Sequence, residues 1–266
     1  MNDLGSNPAA AHPEQPQFLT PWMLPGLRCG FGGRLGGVSA GPFASFNLAG
    51  WIGDDPSAVA ENWRRWQMMY PTMAAVRSNQ VHGARVRKIT RADAASVEDA
   101  DGMVTAVAGL ALCVYTADCV PILMVDPERR LVGALHAGWR GTLRNIAAAG
   151  VAAMVRLGAR RETLRVALGP AIGRCCFEVD HELVDDFARA FPASARHSRA
   201  GKPGKAYLDL RAINCAQLSA EGIARQNLMQ VGPCTRCANA QFFSRRAVPG
   251  GTSGLQMSFI GFVDED

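Results

Sequence analysis

The sequence predicts an α+β or mixed α/β fold, because apolar runs of strand length outnumber the helical patterns and cluster together. The strand-length runs lie in the middle of the chain, at 74–81, 101–107, 110–118, 120–126, 131–137 and 164–169. The helical patterns lie between or beside them, at 54–70, 141–158, 180–191 and 209–222. Since strands and helices do not alternate regularly, a simple parallel βαβ sheet is not predicted.

Each helical pattern carries a local signal for its start or its end. An aspartate followed by Pro56 opens the first, since Pro is favoured in the first helical turn. The second ends at Gly158, and the third and fourth begin at Asp180 and Asp209. These signals predict four helices between or beside the strands.

The length and composition predict one domain over residues 21–266, preceded by a disordered tail over residues 1–20. A chain of 266 residues with 48% hydrophobic residues can bury a large core. The tail is rich in Pro, Ala and polar residues, and it lacks the basic and apolar regions of a secretory signal. Eight cysteines without such a signal favour a reducing compartment, which predicts a cytoplasmic protein.

The charge pattern argues against nucleic-acid and membrane partners. The formal net charge is +5, and the Lys and Arg residues are spread without long basic runs, so a local anion site fits better than a nucleic-acid surface. The apolar, uncharged stretch 103–117 is shorter than the roughly 20 residues that span a bilayer. Neither feature predicts an oligomeric state.

Three segments place a metal-competent side chain at or near the end of a predicted strand. They are NQVHG at 79–83, TADCVPIL at 116–123 and HAGWRGT at 136–142, and the side chains are His82, Cys119 and His136. Two imidazoles and one thiolate form an open zinc site, with one position left for water or substrate. Spacing alone also allows a buried structural cysteine and hydrogen-bonded histidines.

The segment HAGWRGT joins a predicted strand to a predicted helix. In our interpretation Gly138 and Gly141 allow a tight turn, and Arg140 near the helix start holds an anion. A salt bridge from Arg140 to a nearby carboxylate is the structural alternative.

Seven motifs in this order resemble the YfiH-type family, whose members are also described as multicopper polyphenol oxidases or laccase-domain proteins. The resemblance runs from about Arg28 to the C-terminus. The motifs are GGRLGGVSAGPFASFNLA, NQVHG, TADCVPIL, HAGWRGT, GPAIGRCCFEV, YLDL and CTRCANAQFFSRR. The resemblance implies a single α+β domain, an α/β/β/α-type sandwich with mixed sheets flanked by helices. It also implies a zinc ion held by His82, Cys119 and His136.

The resemblance further implies an enzyme that acts on purine nucleosides. The implied activities are phosphorolysis of adenosine, inosine, guanosine and methylthioadenosine, together with deamination of adenosine. Copper-dependent oxidation of polyphenols and editing of peptidoglycan precursors are alternatives that the same family suggests. Multicopper oxidation needs many imidazole ligands, and this chain has five histidines, so zinc is the expected metal and copper the alternative.

The implied chemistry assigns further residues to the site. Phosphate needs a cationic clamp, for which Arg34 and Arg140 are the candidates. Asn47 and Glu178 lie in family-like motifs and are predicted to bind the nucleoside or to donate a proton, with a loop hydrogen bond or an exposed position as the alternative. His136 and Cys119 are expected to act in catalysis as well as in metal binding.

A metal-free reading of the same residues gives a different enzyme class. Cys119 and His136 alone form a thiolate–imidazole pair, the arrangement of a cysteine-type hydrolase acting on an amide or ester.

The last motifs contain cysteines without a recognised zinc pattern and two departures from the family. The CC and CTRC pairs do not make two zinc knuckles, so their cysteines are predicted to be core or surface thiols; these are Cys175, Cys176, Cys234 and Cys237. Arg245 stands where the family motif has an aromatic residue, and Leu255 where it has an arginine.

Overall fold

The computed structural model describes residues 15–91, 97–248 and 250–263. Its strands are β1 Phe18–Leu19, β2 Leu27–Gly32, β3 Ala74–Arg77, β4 Val86–Lys88, β5 Gly102–Thr105, β6 Leu110–Thr116, β7 Val120–Asp126, β8 Leu131–Ala137, β9 Arg165–Leu168, β10 Glu178–Asp180, β11 Ser198–Ala200, β12 Lys205–Leu208, β13 Leu228–Gln230 and β14 Gln256–Phe262. Its α-helices are α1 Pro56–Met69, α2 Trp139–Leu143, α3 Ile146–Leu157, α4 His181–Ala190 and α5 Leu210–Ala220.

Two mixed sheets form the centre of the fold. One has the strand order β1-β2-β14-β6-β3 and the other β13-β9-β7-β8-β5-β4, while β10-β12-β11 form a small third sheet. The two large sheets pack face to face, because Leu112 and Ile260 of the first share a core cluster with Leu123 and Val132 of the second. Strands of both sheets therefore bury both faces, which explains their nearly continuous apolar runs.

Helices cover the outer faces of these two sheets. Trp66 of α1 is fully buried and lies edge-on to Phe259 of β14, with ring centroids 5.6 Å apart. On the opposite side, Val151 and Met154 of α3 share a cluster with Leu135 of β8. The layers are thus helix, sheet, sheet and helix, which confirms the predicted α/β/β/α-type sandwich.

The helix starts agree with the sequence signals, apart from one helix that is divided. Asp55 caps α1 by accepting a hydrogen bond from the Ser57 backbone N–H, and Pro56 is its first residue. The helix predicted over 141–158 is two helices, α2 and α3. They are separated at Asn145, which has a φ of 58° and caps α3 by accepting from Ala148 N–H. Asn tolerates this left-handed conformation better than most residues do, so the chain turns there.

Two parts of the sequence prediction need correction. The strands β2 and β14 were not predicted, although β14 lies between β2 and β6 in the first sheet. The predicted tail ends too late, because Phe18 and Leu19 pair with Gly32 and Phe31 of β2. Residues 1–14 lie outside the described residues. Among the described residues, no helix has both the length and the apolar character needed to cross a bilayer.

Candidate metal centre

The fold brings His82, Cys119 and His136 to one point. Their potential ligand atoms all lie within 4.8 Å of one another, and the two imidazole rings are 4.8 Å apart at their centroids in an edge-on arrangement. His136 is buried, whereas His82 is exposed. The three residues that the motifs singled out therefore form one cluster with a solvent-accessible side.

A hairpin positions two of the three side chains. Strands β7 and β8 are antiparallel neighbours, with Pro121 directly opposite His136. Cys119 lies in the short turn that enters β7, after Asp118 with a φ of 89°. Cys119 and His136 therefore stand at the same end of one hairpin, whose two strands are joined by the turn at 127–130.

Asp101 organises the two histidines, and sequence reasoning missed it. Its buried carboxylate accepts hydrogen bonds from three consecutive backbone N–H groups, those of Val81, His82 and Gly83. It also lies 2.8 Å from Nδ1 of His136. The carboxylate therefore holds the His82 loop, in which His82 has a φ of 58°, against the end of β8. In the sequence, Asp101 is notable only as a charged residue at the start of a predicted apolar strand.

The electrostatics of the metal-free cluster favour a thiolate beside an imidazolium. Burial raises the pKa of Cys119, but His136 and His82 outweigh it and bring the pKa down to about 6. Burial lowers the pKa of His136, but the Cys119 thiolate and Asp101 outweigh it and bring the pKa up to about 9. Burial raises the pKa of Asp101, but His136 and backbone N–H groups outweigh it, so the pKa of Asp101 lies below its usual value.

The donor set fits a zinc ion. Two imidazoles and a thiolate are ligands that zinc takes readily, and three protein ligands leave a fourth position open. Because Asp101 occupies Nδ1 of His136, the ring offers Nε2 to a metal, the usual arrangement for a histidine ligand. Gly138 keeps the space clear, since a Cβ there would lie 3.0 Å from Cys119 Sγ and 3.1 Å from His82 Cδ2.

Gly138 is therefore needed for the close approach of Cys119 and His82, and not for the tight turn that the sequence suggested. Its φ of −72° is open to any residue. We expect Gly138→Ala to leave the fold intact but to lower metal occupancy, because the new methyl group pushes Cys119 or His82 out of position. Metal analysis of the purified variant checks this. Gly50→Ala is the control, because its Cβ would meet its nearest neighbour at an ordinary 3.7 Å, and it should keep its metal.

A cavity of about 630 Å³ opens over the three side chains. This volume lies in the range of small-molecule sites. The residues that line it come from six parts of the chain; they are Trp51, Ile52, Arg77, Ser78, Asn79, Gln80, His82, Tyr115, Thr116, Ala117, Cys119, His136, Arg245 and Leu255. No acidic residue is among the described residues in this lining, so the cavity favours an anion.

Two of the cavity's cationic residues, Arg77 and Arg245, were not predicted to lie there. Arg77 ends β3, and its guanidinium lies 5.0 Å from the centre of the Trp63 ring. Arg245 is exposed and opens a short 3₁₀ helix over Arg245–Ala247. Both positions where the chain departs from the family motif, Arg245 and Leu255, thus line the cavity.

The predicted phosphate clamps lie elsewhere. Arg34 donates from Nε to the Ala44 carbonyl at 2.6 Å and from an Nη atom to the Asn239 carbonyl at 2.9 Å. Arg140 is exposed and stacks on Trp139, with its Cζ atom 4.2 Å from the ring centre. Neither arginine is among the described residues that line the cavity. The structure therefore gives Arg34 a role in holding loops together.

The predicted nucleoside contacts also lie outside the cavity lining. Asn47 is fully buried; its Nδ2 donates to Asp54, and its Oδ1 accepts from the backbone N–H of Leu255. It therefore supports the cavity wall from behind. Glu178 begins β10 on the small third sheet, and its backbone carbonyl accepts a hydrogen bond from Arg246.

The four cysteines that were predicted to be core or surface thiols form one cluster. Cys175, Cys176, Cys234 and Cys237 have Sγ atoms that all lie within 4.8 Å of one another. We refer to them below as the four-cysteine cluster. Sequence spacing could not reveal it, because two distant loops must meet to form it.

Comparison with known proteins identifies the family. Residues 28–263 match the family described as "Multi-copper polyphenol oxidoreductase laccase". The chain belongs to this family. The resemblance found in the motifs is thereby confirmed.

Members of the laccase family that resemble this chain carry two kinds of enzyme name. The chain is 40% identical over 266 residues to the protein named Purine nucleoside phosphorylase YlmD of Geobacillus stearothermophilus, covering 90% of this chain and 95% of that one. It is 37% identical to Adenosine deaminase RL5 from an unknown prokaryotic organism, covering 80% and 85%. The crystal structure of the Bacillus licheniformis hypothetical protein YfiH has a TM-score of 0.87 at 32% identity, covering 94% and 97%.

The potential metal ligands of this chain are not those of the multicopper site that the family's description implies. Within the described residues, the potential metal sites are the group of His82, Cys119 and His136 and the four-cysteine cluster. Neither is the cluster of many imidazoles that a multicopper oxidase needs.

Proposed function

We propose that this protein is a zinc-dependent purine nucleoside phosphorylase that also deaminates adenosine. The observation that carries the proposal is the convergence of His82, Cys119 and His136 at a cavity whose described lining has two arginines and no carboxylate. Such a site pairs a metal position with an anion position. Relatives named for phosphorolysis and for adenosine deamination support both activities.

The proposed substrates match the lining of the cavity. A volume of about 630 Å³ accommodates a nucleoside together with phosphate. Trp51 is 61% exposed and is braced edge-on by Tyr115, with centroids 5.0 Å apart, so it offers an aromatic surface to a purine. Arg77 and Arg245 supply the positive charge for phosphate.

The residues of the chain have separable tasks in this proposal. A zinc ion held by the three ligands would supply Lewis-acid polarisation and lower the pKa of water. Asp101 fixes the tautomer and orientation of His136. Arg77 and Arg245 hold phosphate for attack on C1′ of the ribose, which yields the free purine and ribose 1-phosphate. Deamination needs the metal and water but no phosphate.

This division of tasks predicts distinct effects for three arginine variants. Arg245→Ala and Arg77→Ala are each expected to raise the KM for phosphate about tenfold or more, since a charge-assisted hydrogen bond contributes roughly 1.5–3 kcal/mol. Adenosine deamination should change much less. Steady-state kinetics with varied phosphate measure this.

Arg34→Ala serves as the contrasting variant. Because its guanidinium bonds two backbone carbonyls outside the cavity, it is expected to lower the free energy of unfolding by about 2 kcal/mol and to leave the KM for phosphate unchanged. If Arg34→Ala were the only one of the three variants to raise the KM for phosphate, Arg34 would be the residue that binds phosphate, as the sequence predicted.

One observation favours a second candidate function, a cysteine-type hydrolase. Cys119, His136 and Asp101 are arranged like a catalytic triad, in which a carboxylate orients an imidazole beside a thiol. The test adds a chelator or a thiol-alkylating reagent to the purified protein and follows adenosine. The zinc enzyme loses both adenosine activities on chelation, whereas a thiol hydrolase is indifferent to the chelator and leaves adenosine intact.

A further inference from the structure

The spacing of sulfur atoms in the four-cysteine cluster is that of ligands around a metal ion. Sγ of Cys237 lies 3.6 Å from Sγ of Cys175 and 3.4 Å from Sγ of Cys176. Bonded sulfurs of a disulfide would be about 2.05 Å apart. Four sulfurs at zinc's bond length of about 2.3 Å, at the corners of a tetrahedron, are separated by roughly 3.8 Å. The cluster is close to that arrangement.

Two groups beside the cluster attract negative charge on its sulfur atoms. The backbone N–H of Gly173 donates to Sγ of Cys234 at 3.2 Å. The guanidinium of Arg236 lies near Cys176, Cys234 and Cys237, and its positive charge attracts negative charge on those sulfurs. Four thiolates around a divalent cation carry a net negative charge, which this guanidinium offsets.

We propose that the four-cysteine cluster binds a structural zinc ion, separate from the metal centre at His82, Cys119 and His136. Zinc is the expected ion because it takes four thiolates in a tetrahedral, closed site. Binding is a ligand exchange without redox change: each thiol gives its proton to solvent as its sulfur bonds to the metal. Since four protein ligands leave no open position, the site is structural.

The proposed zinc ion would join two loops that are distant in sequence. Cys176 lies between β9 and β10, and Cys237 follows β13, 61 residues later. The two loops already meet beside the cluster, where the backbone N–H of Thr235 donates to the Ala171 carbonyl at 3.1 Å. Closing so long a loop costs chain entropy, which a metal crosslink offsets.

The crosslink would also brace the wall of the catalytic cavity. Thr235, between the two cysteines of CTRC, donates from its hydroxyl to Asp118 at 2.7 Å. Asp118 precedes Cys119 and also accepts from the backbone N–H of Arg246, next to Arg245 of the cavity lining. One carboxylate thus connects the four-cysteine cluster to both a metal ligand and a cationic residue of the cavity.

Metal analysis of protein purified under reducing conditions tests the proposal. We expect about two zinc ions per wild-type chain, about one in Cys175→Ser/Cys237→Ser, about one in His82→Asn, and none when these changes are combined. Cys215→Ser is the matched control, because Cys215 is a buried thiol outside both groups, and it should keep both ions.

Cobalt substitution gives a readout that does not depend on the folding of the cysteine variant. Co²⁺ bound to His82→Asn protein should show the strong thiolate-to-metal absorption of a four-sulfur site. Two results would overturn the proposal: wild-type protein with at most one metal ion per chain and four reactive thiols in the cluster, or an intact mass showing that these cysteines form disulfides.

Discussion

Replacing His82 by Asn is expected to remove the metal from the centre and to reduce inosine phosphorolysis about a thousandfold. Lewis-acid stabilisation is worth several kcal/mol, and each 1.36 kcal/mol is a factor of ten in rate. Asn is the suitable replacement, because it tolerates the left-handed backbone at this position, where φ is 58°. Since His82 is exposed, the fold should be retained.

The same variant separates the two candidate enzyme classes. In a cysteine-type hydrolase, Cys119 and His136 carry the reaction and His82 is not a metal ligand, so His82→Asn would keep most of its activity on an amide or ester and neither protein would split inosine. The matched control is His181→Asn, which removes an exposed histidine on α4 and should change neither metal content nor rate. Metal analysis and initial rates on the three proteins give the answer, and full metal occupancy in His82→Asn would contradict the assigned ligand set.

Replacing Asp101 by Asn is expected to weaken metal binding roughly 10- to 100-fold, the usual cost of losing the carboxylate behind a histidine ligand. The buried carboxylate accepts from three backbone N–H groups and pairs with His136. In the metal-free protein, the pKa of His136, raised to about 9, should fall, because Asp101 is one of the groups that raises it. The imidazolium then loses its proton at a lower pH.

Metal titration and NMR titration of the histidines measure these two effects. Asp185→Asn, which alters an exposed carboxylate on α4, is the control and should leave both quantities unchanged. An Asp101→Asn protein with wild-type metal affinity and an unmoved His136 pKa would show that Asp101 does not organise the centre.

The sandwich fold could be predicted because its central strands are recognisable in the sequence as apolar runs. Strands β6, β7 and β8 are buried throughout, and the strand runs predicted over 110–118, 120–126 and 131–137 contain them. Strand β2, LRCGFG, was missed because glycines and an exposed arginine interrupt its apolar run. Glycine is required there, since a Cβ at Gly30 would lie 2.7 Å from Cβ of Phe18.

The site could be predicted only where its chemistry is local in sequence. His82, Cys119 and His136 stand out because each is a metal-competent residue in a motif at or near a strand end. Asp101 accepts hydrogen bonds from backbone N–H groups of a distant loop. Because backbone groups do not depend on residue type, the sequence contains no pattern that reveals these bonds. Arg34 was a candidate phosphate clamp because its guanidinium suits an anion, but carbonyls of two loops take its hydrogen bonds.

Phosphorolysis itself is tested by incubating the zinc-containing protein with inosine, with and without inorganic phosphate, and identifying the products. We expect hypoxanthine and ribose 1-phosphate in equal amounts, formed only with phosphate and lost when zinc is removed. Inosine that stays intact in the presence of both zinc and phosphate would contradict it.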